Sequence, residues 1–414
     1  MNKAKLLLAG AALFALPLST APASALTIVL NDTGGVSNDT KAFAGFQAAA
    51  RFWESVFTND ATVRIDVGFQ ALAPNVLAQA GSSSAGVLVQ PFLDALRATG
   101  TTNLDSQAVF PSLVASQFDN DDGTDILGVN ALISAPNDGG GGVATPLVRT
   151  LDADGSANNA VLDANTATLK AVGLLGDDGS SDATITFSNE FAFDFDPTDG
   201  ITAGAFDFVG IAIHEIGHAL GFTSGVDTYD FVGGNPDIPF GDGTFADLDL
   251  NPFRIATPLD LFRYSELSDQ LGVLDWAVGG VDGEAPYFSI DGGATNLFGD
   301  AFFSTGSFLG DGRQASHWRD VAAGEVQRGI LDPTLSRGTN SIITGLDLAA
   351  FDATGWNVNF DVLANPDFAF NTNNIQVAAV PEPATWGMMI LGFGLVGGAL
   401  RRRRKSVTAK PALA

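Results

Sequence analysis

The stretch Ile213-His214-Glu215-Ile216-Gly217-His218-Ala219-Leu220-Gly221-Phe222 decides how the rest of the chain is interpreted. On an α-helix, residues four positions apart project from the same side about one turn apart, so His214 and His218 can direct ring nitrogens at one metal ion. Zinc accepts imidazole nitrogen, and a catalytic zinc keeps one ligand position open for water. Glu215 lies beside both histidines without being a ligand. The motif therefore predicts a zinc-activated water that attacks a peptide carbonyl, with Glu215 as the general base.

A catalytic zinc takes three protein ligands, and the motif supplies two of them. The chain contains three histidines, so His317 is the one imidazole that remains, and we predict it as the third ligand. Trp318 beside it could wall the site, and Asp320 could orient a ring by a hydrogen bond. A histidine bonded in the core is the structural alternative for His317, and the alternative ligands are the carboxylates of Glu325, Glu266 and Asp227.

Composition and charge exclude several classes of protein. The 414 residues are 46% hydrophobic, which is typical of a globular protein with a sizeable core. Only 20 Lys and Arg face 47 Asp and Glu, and the net charge of −27 makes nucleic acid an improbable partner. There is no cysteine, which excludes disulfides, thiolate ligands and a cysteine nucleophile. The turn with Asp194, Asp196 and Asp199-Gly200 could bind calcium, although solubility of the loop explains these residues equally well.

Both ends of the chain carry targeting patterns. Lys3 and Lys5, an apolar run over 6–18 and the small residues at 23–25 predict a signal peptide over residues 1–25. At the other end, Val380-Pro381-Glu382-Pro383-Ala384-Thr385-Trp386 is followed by an apolar segment to Leu400 and by the basic run 401–405. This end resembles the sorting tail of PEP-CTERM proteins. The resemblance implies a bacterial envelope protein whose tail a membrane sorting enzyme removes; a simple membrane anchor is the alternative.

Periodicity predicts the elements around the motif. Apolar residues at steps of three and four predict an amphipathic helix over 40–57, and alternation predicts a strand over 61–69. A second helix is expected over 161–175 and a strand over 183–188. If that strand lies at a sheet edge beside the metal, it could hold an extended substrate by strand addition, although it could equally be structural. The motif helix should begin at Ala205 or Phe206 and end at Leu220, because Gly221 supplies a left-handed residue.

These motifs together resemble secreted zinc metalloproteases of the metzincin type, closest to leishmanolysin-like enzymes. The resemblance rests on 214–222, on the distant His317, and on the turn Gly329-Ile330-Leu331-Asp332-Pro333. It extends to PEP-CTERM bacterial metalloproteases, whose closing helix resembles 346–356. Two positions differ from the metzincin pattern. Where metzincins have the third histidine, this chain has Ser224. Where metzincins have a methionine in the turn below the zinc, this chain has Leu331. The resemblance implies that an insertion separates the third histidine from the helix.

We therefore predict an α+β, metzincin-like metalloprotease domain over 26–362, with an N-terminal half (26–222) and a C-terminal half (223–362). A linker (363–380), a sorting segment (381–405) with a transient membrane helix, and a tail (406–414) follow. The expected function is a secreted or cell-surface zinc endopeptidase that acts on proteins or peptides and whose tail meets a sorting enzyme. The alternative functions are an envelope or matrix-associated structural protein with an inactive metal site, or an adhesion module that binds calcium.

Overall fold

The structure is a computed structural model that describes residues 26–37, 40–118, 125–134, 147–279, 285–322 and 325–377. The predicted signal peptide, sorting segment and tail lie outside these residues. None of the helices within the described ranges is long and apolar enough to cross a bilayer. The predicted membrane helix falls in the sorting segment and is therefore outside that comparison.

The described residues combine short helices with short strands. The α-helices are α1 (Lys41–Val56), α2 (Val89–Thr99), α3 (Asn103–Gln107), α4 (Ala157–Ala160), α5 (Thr166–Ala171), α6 (Phe208–Ala219), α7 (Val226–Gly234), α8 (Glu266–Leu271) and α9 (Gly345–Ala353). The strands are β1 (Thr27–Gly34), β2 (Thr62–Gln70), β3 (Ala78–Ser82), β4 (Ser84–Leu88), β5 (Val114–Ala115), β6 (Leu127–Gly128), β7 (Ala131–Ile133), β8 (Thr150–Asp152), β9 (Val161–Asn165), β10 (Ala183–Ser188), β11 (Phe193–Asp194), β12 (Phe206–Asp207), β13 (Pro239–Phe240), β14 (Gly243–Thr244), β15 (Arg263–Tyr264), β16 (Leu274–Asp275), β17 (Tyr287–Phe288), β18 (Ile342–Thr344) and β19 (Ala369–Asn371). The α+β class is confirmed.

A four-stranded sheet in the order β1-β2-β10-β3 supports the motif helix. β1, β2 and β10 run parallel, whereas β3 is antiparallel and forms an edge. Helices α1 and α6 pack together beside this sheet, and the indole Nε1 of Trp53 donates to the Ile213 carbonyl at 3.1 Å. Phe46 meets the rings of Phe187 and Phe208 edge-on, so one aromatic cluster joins both helices to the sheet.

Several predicted elements are confirmed. Thr40 caps α1 by accepting a hydrogen bond from the Phe43 amide, and four of the five predicted apolar positions on that helix are buried. The predicted strands over 61–69 and 183–188 are β2 and β10. Gly221 follows α6 with a φ of 117°, as the helix end requires. The predicted closing helix is α9, and Trp356 after it donates to the Leu220 carbonyl at 2.8 Å.

The helix predicted over 161–175 is wrong in its first part. Residues 161–165 form β9, which pairs antiparallel with β4 and buries Leu162 and Ala164 while Asp163 meets Arg254. Helix α5 occupies only 166–171. A short run with apolar residues is compatible with either a helix or a strand, because alternate residues of a strand bury one face. Here the run pairs with β4 and buries Leu162 and Ala164.

The position of one strand and the bounds of two segments also differ from the sequence-based expectation. β10 lies inside the sheet, and β3 forms the edge instead. The motif helix begins at Phe208, because β12 pairs with β11 immediately before it. Beyond 362 the chain is not a plain linker, since β19 pairs with β18 and the Thr372 hydroxyl is buried against Asp207. The folded part of the chain therefore extends past the predicted domain end.

Candidate metal centre

The motif helix α6 is fixed at both ends by hydrogen bonds from distant parts of the chain. At its start, the Asp207 carboxylate accepts from the Gly210 amide at 2.9 Å, the Ser341 amide at 3.0 Å and the Thr372 hydroxyl at 2.6 Å. At its end, the His218 carbonyl accepts from Asn165 Nδ2 at 3.0 Å. The cap therefore serves both helix formation and the attachment of the C-terminal half.

Other segments contact the helix backbone at two glycines, and at Gly210 the approach is possible only without a side chain. A Cβ at Gly210 would lie 2.0 Å from Ser341 Oγ, which leaves no room for any side chain. A Cβ at Gly217 would lie 3.4 Å from the side chains of Leu331 and Phe351. The second half of the chain therefore packs directly on the helix backbone.

The structure brings His214, His218 and His317 together. Their Nε2 atoms are 3.0 Å apart for His214 and His218, 3.2 Å apart for His218 and His317, and 3.3 Å apart for His214 and His317. The three rings form the one group of at least three metal-capable side chains found in the described part of the chain. His317 is thus next to the motif despite its distance in sequence, and its role as a ligand remains a prediction.

Backbone carbonyls fix the orientation and tautomer of the three rings. Nδ1–H of His214 donates to the Ile330 carbonyl at 2.6 Å, that of His218 to the Phe222 carbonyl at 2.7 Å, and that of His317 to the Gln314 carbonyl at 3.3 Å. Because a carbonyl can only accept, these contacts assign the proton to Nδ1 and leave each Nε2 with a lone pair. Such second partners of metal-binding histidines commonly fix the ligand geometry.

Burial keeps the imidazoles neutral. Burial lowers the pKa of His214 to about 3 and that of His218 to about 4, and it holds the pKa of His317 well below its ordinary value. Three neutral rings therefore direct three lone pairs at one point, an arrangement that repels unless a cation or a proton occupies it.

The donor set fits zinc. Three nitrogens at about 2.0 to 2.1 Å from a tetrahedral zinc would be about 3.3 Å from one another, close to the spacing of the three Nε2 atoms. Neutral imidazoles are also the form of histidine that binds metal. Three such ligands leave a fourth position, as at catalytic rather than structural zinc sites.

Glu215 is buried beside the histidines and lines the same cleft. Among the described residues, no group donates a hydrogen bond to its carboxylate. Burial without such a donor raises the pKa of Glu215 to about 8. A carboxyl group with this pKa can gain or lose a proton near neutral pH, which is what a general base requires.

Asp227 positions the segment that carries His317. It was an alternative ligand in the sequence, but its carboxylate accepts from the Ala315 amide at 2.6 Å and from the amide and hydroxyl of Ser316 at 3.1 and 2.5 Å. The Ser224 hydroxyl, at the place where metzincins carry histidine, donates to Asp260 at 2.5 Å. The Ser224 amide also donates to Ser316 Oγ at 2.9 Å, so Ser224 and Asp227 hold the loop that carries His317 from outside the histidine cluster.

Asp347 supports the floor of the site and was missed in the sequence analysis. Its carboxylate accepts from the Ile330 amide at 2.8 Å, the Trp318 indole at 2.8 Å and the Thr344 amide at 2.7 Å. The Ile330 carbonyl in turn accepts the hydrogen bond from His214 Nδ1, and Leu331 is fully buried against Gly217. The capping pattern of Thr344 and Asp347 at the start of α9 was the available signal for this residue.

Other expected site residues lie elsewhere. Trp318 does not wall the cleft, because it is buried in the core, stacked on Phe303 at 5.0 Å between ring centroids. Asp320 bonds Arg313 and Thr334 rather than an imidazole. Glu266 and Glu325 are exposed and are absent from the histidine cluster. In the acidic turn, Asp194 and Asp196 accept hydrogen bonds from their own loop, and calcium binding there remains a prediction.

The histidines open onto a cleft of about 1200 Å³. Its lining comes from both predicted halves of the domain and includes residues of edge strand β3 and of the segments 307–317 and 327–337. This volume lies above the range of about 300 to 1000 Å³ that is typical of small-molecule sites.

One comparison with known proteins identifies the C-terminal end. Residues 379–404 match the PEP-CTERM protein-sorting motif. The motif indicates export with sorting to the surface or membrane, and it implies recognition by a C-terminal sorting enzyme. No curated protein matches the chain. No solved structure matches it either. The sorting part of the predicted resemblance is confirmed.

Proposed function

We propose that the protein is an exported zinc-dependent endopeptidase with a metzincin-like active site. The observation that carries the proposal is the triangle of Nε2 atoms from His214, His218 and His317, with each Nδ1 bonded to a backbone carbonyl. A histidine cluster that only stabilised the core would turn its lone pairs towards donors, whereas these lone pairs face one another.

The residues around the cluster suit peptide hydrolysis. When bound, zinc supplies a Lewis acid and a coordinated water whose pKa is lowered to about 7. Glu215 can take a proton from an attacking water and give it to the departing amine nitrogen, because its carboxyl group lines the same cleft as the three imidazoles. The three imidazoles remain neutral and leave the fourth ligand position of the metal open towards the cleft.

Substrate binding is assigned to β3. Leu77, Ala78, Gln79 and Ala80 line the cleft, and within the described sheet β3 pairs only with β10. Its other side can accept an extended peptide by strand addition. The role expected for β10 therefore passes to its antiparallel neighbour, and main-chain pairing would favour a polypeptide substrate over other amides.

The test combines metal analysis with hydrolysis of casein. The wild-type protein should bind one zinc per chain and cleave casein. Glu215→Gln should keep the zinc and lose activity by a factor of about 10² to 10⁴, typical of a lost general base. His317→Ala should lose both zinc and activity.

Gln314→Ala is the matched control for His317→Ala, because it keeps the backbone carbonyl that accepts from the imidazole. It should retain both properties. Stoichiometric zinc without hydrolysis of any protein would instead favour the inactive structural role, and full zinc retention in His317→Ala would remove His317 from the ligand set.

A further inference from the structure

A row of five phenylalanines, four exposed and one (Phe245) half-buried, begins in the cleft and continues over the neighbouring surface. Phe308 lines the cleft, and the ring contacts run Phe308–Phe231 (5.9 Å), Phe231–Phe245 (5.8 Å), Phe245–Phe240 (5.8 Å) and Phe240–Phe253 (6.4 Å) between centroids. Phe308 is 53% exposed, and Phe231 and Phe240 are each 46% exposed. We call these five residues the aromatic row.

The row is held rigidly at its cleft end. The buried carboxylate of Asp230 accepts from the amides of Phe308 and Leu309 at 2.9 and 2.8 Å. Gly234 at the end of α7 lies directly below, where a Cβ would be 2.3 Å from the Cβ of Phe308. The backbone therefore fixes Phe308 in an exposed position, and a fixed exposed aromatic ring is well suited to bind a partner at low entropic cost.

The segment that carries four of the five rings has charges of one sign, and the nearest cations in the chain are paired. Between Val226 and Phe253 the chain has no Lys or Arg. The next cation, Arg254, pairs with Asp163 at 2.7 Å, and Arg313 on the cleft side pairs with Asp320 at 2.9 Å. The exposed carboxylates in this stretch are those of Asp237, Asp242, Asp247 and Asp249. The surface thus combines apolar rings with uncompensated negative charge.

We propose that the aromatic row is an exosite for substrate proteins that carry a basic segment with apolar side chains, outside the residues being cleaved. Apolar side chains would cover the rings, and Lys or Arg would meet the carboxylates. Continuity with the cleft points to a substrate, because a segment bound on the row leads directly into the cleft at Phe308. The charge opposes an anionic lipid surface and a second copy of a chain with a net charge of −27. The proposal rests on the proposed function.

Binding is tested first, without turnover. The full chain with Glu215→Gln is titrated against a fluorescein-labelled peptide of alternating phenylalanine and lysine. Adding Phe231→Ser and Phe240→Ser should raise the Kd at least about tenfold, the loss expected when anchor rings are removed. Adding Asp237→Asn and Asp242→Asn should also raise it and reduce its dependence on salt. Leu271→Ser, which removes a 53% exposed apolar side chain outside the row, should leave the Kd unchanged.

Turnover is tested second, with the wild-type protein and the Phe231→Ser, Phe240→Ser variant. A short fluorogenic peptide should be hydrolysed equally by both. The same peptide extended with the phenylalanine and lysine segment should show a higher KM for the variant at similar kcat. If the wild-type protein hydrolyses neither peptide, the proposed function fails, while the binding titration still decides whether the row is a docking site.

Three results would overturn the exosite. One is an unchanged Kd in the phenylalanine double variant, and another is equal binding of a peptide with glutamate in place of lysine. The third is a dimer, or adhesion to vesicles of anionic phospholipid, that the double variant abolishes, because the row would then serve a second copy or a membrane.

Discussion

Replacing Asp347 with alanine should destabilise the protein more than any other single change of a hydrogen-bonding side chain that we consider. The carboxylate is fully buried and accepts three hydrogen bonds of 2.7 to 2.8 Å, from the amides of Thr344 and Ile330 and from the Trp318 indole. The Thr344 hydroxyl at 3.0 Å and the Leu331 amide at 3.3 Å are two further donors. Alanine would leave these donors without an acceptor in the interior.

The magnitude follows from the number of donors. A buried donor without an acceptor costs about 1 to 3 kcal/mol, so three such donors give a loss of about 3 to 9 kcal/mol. A typical protein is stable by only about 5 to 15 kcal/mol. Burial raises the pKa of Asp347, and this desolvation offsets part of the loss because alanine removes a costly buried charge. We therefore expect Asp347→Ala to lower the free energy of unfolding by an amount near the lower end of this range, about 3 to 4 kcal/mol.

The assay is urea unfolding followed by tryptophan fluorescence. Asp247→Ala is the matched control, because Asp247 closes the same capping box with Thr244 but is exposed. The control should lose at most about 1 kcal/mol, the value of a lost cap. Asp347→Ala should also weaken zinc binding by about 10- to 100-fold in a chelator competition, because Ile330 supports His214. Equal losses of stability in Asp347→Ala and Asp247→Ala would refute the reasoning.

Two other predictions concern pH and the tail. Burial, followed by the charge of Asp105, raises the pKa of Asp352 to about 8. The folded state therefore holds a proton that the unfolded state releases near pH 4. The free energy of unfolding should then fall as the pH rises between about 4 and 8, and it should level off above pH 8. Asp352→Asn should remove that fall, so its gain over wild type should grow from about pH 5 to about pH 8 in urea unfolding, and a constant difference would contradict it. Mature protein from a host with the sorting enzyme should lack the segment after about Thr385, whereas a host without the enzyme should retain it in the membrane fraction; intact mass spectrometry that still finds Arg401 to Ala414 in the sorted material would disprove this.

Local patterns predicted the elements whose residues carry their own signals. α1 has regular apolar spacing and a threonine cap, β2 alternates, and α6 ends at a glycine, so each could be located without knowing its neighbours. In contrast, β3 reads Ala-Gln-Ala-Gly-Ser and has no strong apolar alternation. Its position as the sheet edge depends on β10, which lies about a hundred residues later in the chain.

The site was predictable to the extent that histidines are scarce. His317 emerged from the sequence only because no other imidazole remained, and the sequence had no means to show the distances among the rings. Asp227, Asp260 and Asp347 resemble the many acidic turn residues of this chain, yet Asp260 and Asp347 are buried, Asp227 is half-buried, and each accepts backbone hydrogen bonds. Burial of a carboxylate depends on tertiary packing, which composition and spacing do not encode locally.

The contacts at the start of α6 determine how much of the chain must be present before the histidine cluster is complete. Asp207 is held by Ser341 and Thr372, and His214 is oriented by Ile330. A chain that has been synthesised or translocated only as far as residue 316 therefore possesses both motif histidines but neither the third imidazole nor the contacts that orient the first. Residue 372 is only seven residues before the sorting motif at 379. The histidine cluster and its supporting contacts are thus complete only once residue 372 has been delivered, so under the proposed function a partly exported chain would lack a complete metal site.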